Sequence, residues 1–137
     1  MERFFTGLLF LAFFSTGCGG DARSYSVEGD ISLDGTMVGD GNDAVVRFES
    51  VGEGGGASAD AFIKEGKYQV KLLPGKYKVA IRWNKKTGKK TVSKIAGPGA
   101  ESEEIKEAIP KEFNSESKLS AEVNSEKLRH DFTLKSQ

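Results

Sequence analysis

From Tyr25 onward the chain alternates between apolar and polar positions. Tyr25, Val27, Gly29, Ile31 and Leu33 fall at every second place, with Ser26, Glu28, Asp30 and Ser32 between them. A two-residue period sends successive side chains to opposite faces, so this segment predicts a half-buried strand. Asp34-Gly35 closes it with a turn signal. After a loop over Gly39-Asp40-Gly41-Asn42, Ala44-Val45-Val46-Arg47-Phe48-Glu49 reads as the next strand. The glycine-rich run from Val51 to Ala57 reads as flexible.

The middle is the most regular part. Ala59, Ala61 and Ile63 alternate with polar positions, and Glu65-Gly66-Lys67 turns the chain into Tyr68-Gln69-Val70-Lys71-Leu72. Leu73-Pro74-Gly75-Lys76 turns it again, into Tyr77-Lys78-Val79-Ala80-Ile81-Arg82-Trp83. There Tyr77, Val79, Ile81 and Trp83 share one face, with Lys78 and Arg82 on the other. The expected arrangement is an antiparallel meander, dry on one face and wet on the other. From Asn84 to Ala108 the pattern dissolves into Lys85, Lys86, Lys89, Lys90 and Lys94, then Gly97-Pro98-Gly99, then Glu101, Glu103, Glu104 and Glu107. This predicts a long exposed loop with one helical turn around 102–108. Two last strands are expected over Leu119, Ala121 and Val123 and over Leu128, His130, Phe132 and Leu134, separated by Asn124-Ser125-Glu126-Lys127. About seven short strands joined by turns predict an all-β fold, an antiparallel Greek-key β-sandwich.

A different pattern precedes the strands. Behind Arg3, an apolar run from Phe4 to Phe14 is too short for a comfortable membrane span. Small residues follow, in Ser15-Thr16-Gly17-Cys18-Gly19, around the one cysteine of the chain. This arrangement resembles the bacterial lipoprotein signal, with Thr16 and Gly17 fitting its small-residue preference and Ser15 departing from its usual aliphatic residue. The resemblance implies that residues 1–17 are a removed signal peptide and that Cys18 is the lipidation site. Its thioether and amine would then carry acyl chains such as palmitate, and two or more chains hold a protein stably to a bilayer. The alternatives are an ordinary cleaved leader that leaves a free thiol and a cytosolic chain with a buried cysteine. Residues 18–24 then form a polar tether and 25–137 a single domain, large enough to bury a core without metals or cross-links. A lone cysteine forms no internal disulfide. The expected location is exported and lipid-anchored, at the cell membrane or outer membrane, facing the periplasm or exterior.

Lys plus Arg and Asp plus Glu balance at 20 each. Nucleic acid, which requires a positive field, is therefore excluded as a partner. The strand segments also carry a resemblance. The opening Tyr25-Ser-Val-Glu-Gly-Asp-Ile-Ser-Leu-Asp-Gly-Thr36 and the Val46-Arg-Phe-Glu segment contribute to it. So do Gly66-Lys-Tyr-Gln-Val-Lys-Leu-Leu-Pro-Gly-Lys-Tyr-Lys-Val79, Ile109-Pro-Lys-Glu-Phe-Asn114, Ser117-Lys-Leu-Ser-Ala-Glu-Val123 and His130-Asp-Phe-Thr-Leu134. Together, in this order, they resemble bacterial lipoproteins with a carboxypeptidase regulatory-like domain, a transthyretin-like sandwich. Lys64-Glu65-Gly66 replaces that family's usual Asp-Gly turn. The resemblance implies a fold and an anchor, and no reaction.

Candidate chemistry is sparse. His130, the one histidine, sits between Arg129 and Asp131 in an alternating segment and reads as a strand-face residue. Asp34, Asp40, Asn42 and Asp43 do not match the spacing of a calcium loop, and turn formation explains them. The glycine run 52–56 is not followed by the Gly-Lys-Ser/Thr of a phosphate loop. The transthyretin-like hydrolases of purine degradation require several histidines and a Tyr-Arg-Gly-Ser ending, whereas this chain ends Thr133-Leu134-Lys135-Ser136-Gln137. We therefore expect no catalytic residues, no metal and no cofactor. The leading expectation is a monomeric, non-enzymatic structural or interaction module tethered to a membrane, with an envelope protein or glycan as partner. The alternative is a binder of carbohydrate or anionic polymer through Arg82, Trp83, Lys85, Lys86, Lys89 and Lys90.

Overall fold

The computed structural model describes residues 23–39, 43–52, 57–92, 97 and 99–137. The leader, Cys18, Asp40, Asn42 and Lys94 lie outside these described residues. Two sheets form the body. In the first, β1 (Tyr25–Leu33) lies antiparallel to β2 (Thr36–Met37) and to β5 (Lys67–Leu72), and parallel to β9 (Phe132–Leu134). In the second, β4 (Ser58–Phe62), β3 (Ala44–Val51), β6 (Gly75–Val92) and β7 (Glu101–Glu107) follow one another, and β8 (Leu119–Val123) also pairs with β6.

The alternating segments bury the faces their pattern assigned to the interior. Val27 and Ile31 of the first sheet meet Val46, Phe48, Val79, Ile81 and Trp83 of the second, all at most 1 % exposed. Aromatic rings tie the layers together: Phe48 lies 5.6 Å from Tyr68 and 6.3 Å, edge-on, from Tyr77, while Tyr68 stacks on Phe132 at 6.4 Å. Both buried tyrosines satisfy their hydroxyls on backbone, Tyr68 donating to the His130 carbonyl at 2.7 Å and Tyr77 to that of Leu73 at 2.8 Å. Burial pushes the Tyr68 phenol well above its ordinary pKa.

Three expectations are corrected. The meander over 59–83 does not exist as such, because β4 pairs with β3, β5 with β1 and β6 with β3. The chain therefore changes sheet at each of the two turns. The last strand is shorter than its alternation, and it runs parallel to β1. Most consequentially, 84–92 and 101–107 are strand, in place of the expected loop and helical turn. β6 continues to Val92 and pairs with β7, so 84–92 and 101–107 form a two-stranded ribbon extending from the sandwich, exposed over 84–92 and 101–106. A bulge interrupts it where Thr87, Gly88 and Lys89 oppose Glu104, and Gly88 takes φ +76° there.

The two tight turns share one solution. Asp34-Gly35 joins β1 to β2 with φ of +50° and +81°, and Glu65-Gly66 links the Lys64–Lys67 bridge with φ of +49° and +78°. Positive φ at both central positions is the mirror-image turn that suits the right-handed twist of strands. Asp accepts that conformation readily and Glu does not. Glu65→Asn is therefore expected to stabilise the protein by about 0.5 kcal/mol, read as a higher urea midpoint with an unchanged slope.

Candidate ligand-binding face

The outer face of the second sheet is a grid set by strand register. Across β4, β3 and β6 its rows read Phe62, Val45, Arg82; then Asp60, Arg47, Ala80; then Ser58, Glu49, Lys78. Along β6 itself the outward positions are Lys76, Lys78, Ala80, Arg82 and Asn84, so one small side chain interrupts a line of long polar ones. A groove of about 410 Å³ lies over that interruption, floored by Val45 and Ala80 and walled by Arg47, Asp60, Lys78, Arg82 and Asn114.

The two arginines of the groove lean apart. Arg47 grips Asp60 as a fork, with Nε and Nη2 each 2.8 Å from a carboxylate oxygen. That pairing holds the Asp60 carboxyl below its usual range and lifts the Arg47 guanidinium further. Arg82 turns the other way, its Nε donating to Asn114 Oδ1 at 3.2 Å. Asn114 stands just after a single 3-10 turn, Lys111–Phe113, and that stretch is anchored by Ser117, whose buried hydroxyl donates to the Val79 carbonyl. Phe62, beside Val45 in register, is 69 % exposed at the outer strand edge.

Of the residues the sequence offered for ligand binding, only Arg82 belongs to this groove, and Asp43, read there as a turn residue, also lines it. Trp83 faces inward and is 1 % exposed, so it presents no ring to a ligand. Its alternation with Tyr77, Val79 and Ile81 gave that face correctly; the surface role is the reading that fails. Lys85 lies over the Trp83 ring with Nζ 3.6 Å from the centroid, covering the last core residue. Lys86 and Lys90 sit in the ribbon's charge ladder, 3.8 Å from Glu103 and 2.8 Å from Glu101. Lys89 is in the bulge, its backbone N–H donating to Thr87 Oγ1. The lysines are thus strung along a ribbon among glutamates, not gathered into a cationic patch.

His130 lies at the other sheet. Its N–H donates to the Glu28 carbonyl at 2.9 Å, and its Nε2 is buried without a partner among the described residues. Arg129 beside it reaches Asp30 at 2.5 Å and Asp131 at 3.1 Å. The Asp34 carboxylate accepts from the Ser136 backbone and hydroxyl, which lowers its pKa and occupies it as a turn brace. Among the described residues no group of three or more His, Cys, Asp or Glu could hold a metal ion.

Arg47, Asp60, Phe62, Ala80 and Asn114 went unread as a set. Phe62 alone carried a local signal, a large apolar residue in the polar phase of its strand. Comparison with protein-family models, with curated proteins and with solved structures gives no match for this chain.

Proposed function

We propose that this protein is an exported lipoprotein, tethered through acyl chains on Cys18, whose transthyretin-like, carboxypeptidase regulatory-like sandwich works as a non-enzymatic interaction module. The observation that carries this reading is the succession of apolar leader, small residues and single cysteine ahead of a folded body. The first strand opens at Tyr25, so only the short polar stretch 19–24 separates the thiol from the domain. Such spacing would hold the sandwich close to a bilayer surface. Two features of the outer face support binding over catalysis. Four of its polar side chains are committed to one another, Arg47 to Asp60 and Arg82 to Asn114. The Asp60 carboxyl is held below its ordinary range, the wrong direction for a general base or acid poised near neutrality.

Mass spectrometry of the native N-terminus tests the anchor. The expected result is a mature chain starting at Cys18 with a diacylglyceryl thioether. A chain that keeps residues 1–17, or starts at an unmodified thiol, overturns the proposal.

A further inference from the structure

We infer that the groove over Val45 and Ala80 is a binding site for a neutral oligosaccharide, with Phe62 as the stacking surface at its lip. The argument begins with how the depression arises. A sheet face with long side chains at every outward position has no room for a ligand. Here Ala80 contributes only a methyl group to β6, and its cross-strand neighbour Arg47 is drawn away onto Asp60 of β4. Arg82 is drawn the opposite way, to Asn114. Two fixed arginines therefore stand apart and leave an apolar floor open between them. Its volume of about 410 Å³ falls within the range of small-ligand sites, about 300–1,000 Å³.

The charges around the floor select the ligand class. Arg47, Lys78 and Arg82 are matched by Asp43, Glu49 and Asp60, so the groove favours neither an anion nor a cation. The same balance continues along β6, where Lys76 faces Glu122 and Lys78 faces Glu49 across the strands. A polyanion would meet a carboxylate beside each of these cations. What the groove offers is a dense set of both donors and acceptors around a small apolar surface. A sugar ring presents the complementary set, hydroxyls around its edge and C–H groups on its faces. Phe62 provides an accessible ring directly beside Val45, and directly opposed residues on one sheet face have Cβ atoms about 5 Å apart. The amide of Asn114 and the forked Arg47–Asp60 pair are held in place before any ligand arrives, which lowers the cost of ordering them.

This inference deepens the interaction-module reading and rests on it for a role, while the site itself does not depend on the lipid. The test uses the full mature chain in detergent, titrated calorimetrically with neutral gluco-, manno-, galacto- and N-acetylglucosamine oligosaccharides and, in parallel, with uronic-acid and sulfated ones. At least one neutral series should bind, with affinity little changed by salt. Ala80→Leu, which fills the floor from an outward position, and Phe62→Ala should each weaken binding by about tenfold or more. Lys86→Ser on the ribbon should leave it unchanged, and thermal melts verify that each variant is folded. Binding of no neutral series, binding only of the anionic ones with loss at high salt, or indifference to both Ala80→Leu and Phe62→Ala would overturn the site. Acylated protein that binds no sugar removes the groove proposal alone; unacylated protein that binds one removes the anchor alone.

Discussion

Trp83→Ala should cost about 3–5 kcal/mol of folding stability and should not act as the loss of a surface contact. The indole is 1 % exposed and is the largest of the fully buried side chains. It closes the core at the point where β6 leaves the sandwich and becomes the ribbon. Its backbone N–H donates to Glu107 Oε1 at 2.8 Å, and its carbonyl accepts from Ala108 at 2.8 Å. Glu107 Oε1 also takes the Ile109 N–H at 3.0 Å, so one carboxylate ties both strands of the ribbon root. Removing the indole empties the space beneath that junction. Domains of this size are stable by only about 5–15 kcal/mol in all, so the variant should melt far below the parent. Urea unfolding followed by far-UV circular dichroism measures the change. Lys85→Gln, which removes only the cation over the ring, should cost about 0.5–1 kcal/mol. A Trp83→Ala variant within 1 kcal/mol of the parent would show that the ring is not a core element.

That contrast between Trp83 and Lys85 shows what alternation can and cannot reveal. Periodicity identifies a face, and it placed Tyr77, Val79, Ile81 and Trp83 together on the buried one. It also located the turns at Asp34-Gly35 and Glu65-Gly66, where both central residues take positive φ. It does not identify the neighbour. Ser58–Phe62 and Lys67–Leu72 look like consecutive partners, yet they belong to opposite sheets, because the chain crosses the core between them. The ribbon was illegible for a related reason. It buries neither face, so Lys and Glu occupy inward and outward positions alike, and neither residue favours strands on its own. Its pairing comes from the backbone ladder that β6 and β7 continue outward from the sheet, supplemented by exposed ion pairs of small individual worth. The groove depends on register between β3, β4 and β6, and register across the glycine-rich 51–57 cannot be counted from the chain. Arg47 and Asp60 are separated by that stretch, and Arg82 and Asn114 by the whole ribbon.

Gly29→Ala is expected to be the more damaging of the two largest substitutions, although it adds only one methyl group. A Cβ at this position would lie 1.8 Å from the His130 carbonyl oxygen, 2.6 Å from its carbon and 2.9 Å from Tyr68 Cε1. The first two are backbone atoms, and they are pinned. The His130 carbonyl accepts the Tyr68 hydroxyl at 2.7 Å, and the His130 N–H donates to Glu28 at 2.9 Å. Room for the methyl can be made only by pushing the C-terminal segment away from β1. That breaks the Glu28 bonds to Leu128 and His130, and it pulls on the parallel ladder from Ile31 and Phe132 to Leu33 and Leu134. Phe132 and Leu134 would leave the core with it. The combined loss should be about 4 kcal/mol or more, enough to leave a large unfolded fraction at 37 °C. Gly35→Ala supplies the comparison, since its φ of +81° strains any side chain while nothing lies within 4 Å of the added Cβ. That variant should lose about 1–2 kcal/mol from backbone strain alone. Equal losses in the two variants, measured by urea titration, would mean that β1 and the C-terminal strand do not approach this closely.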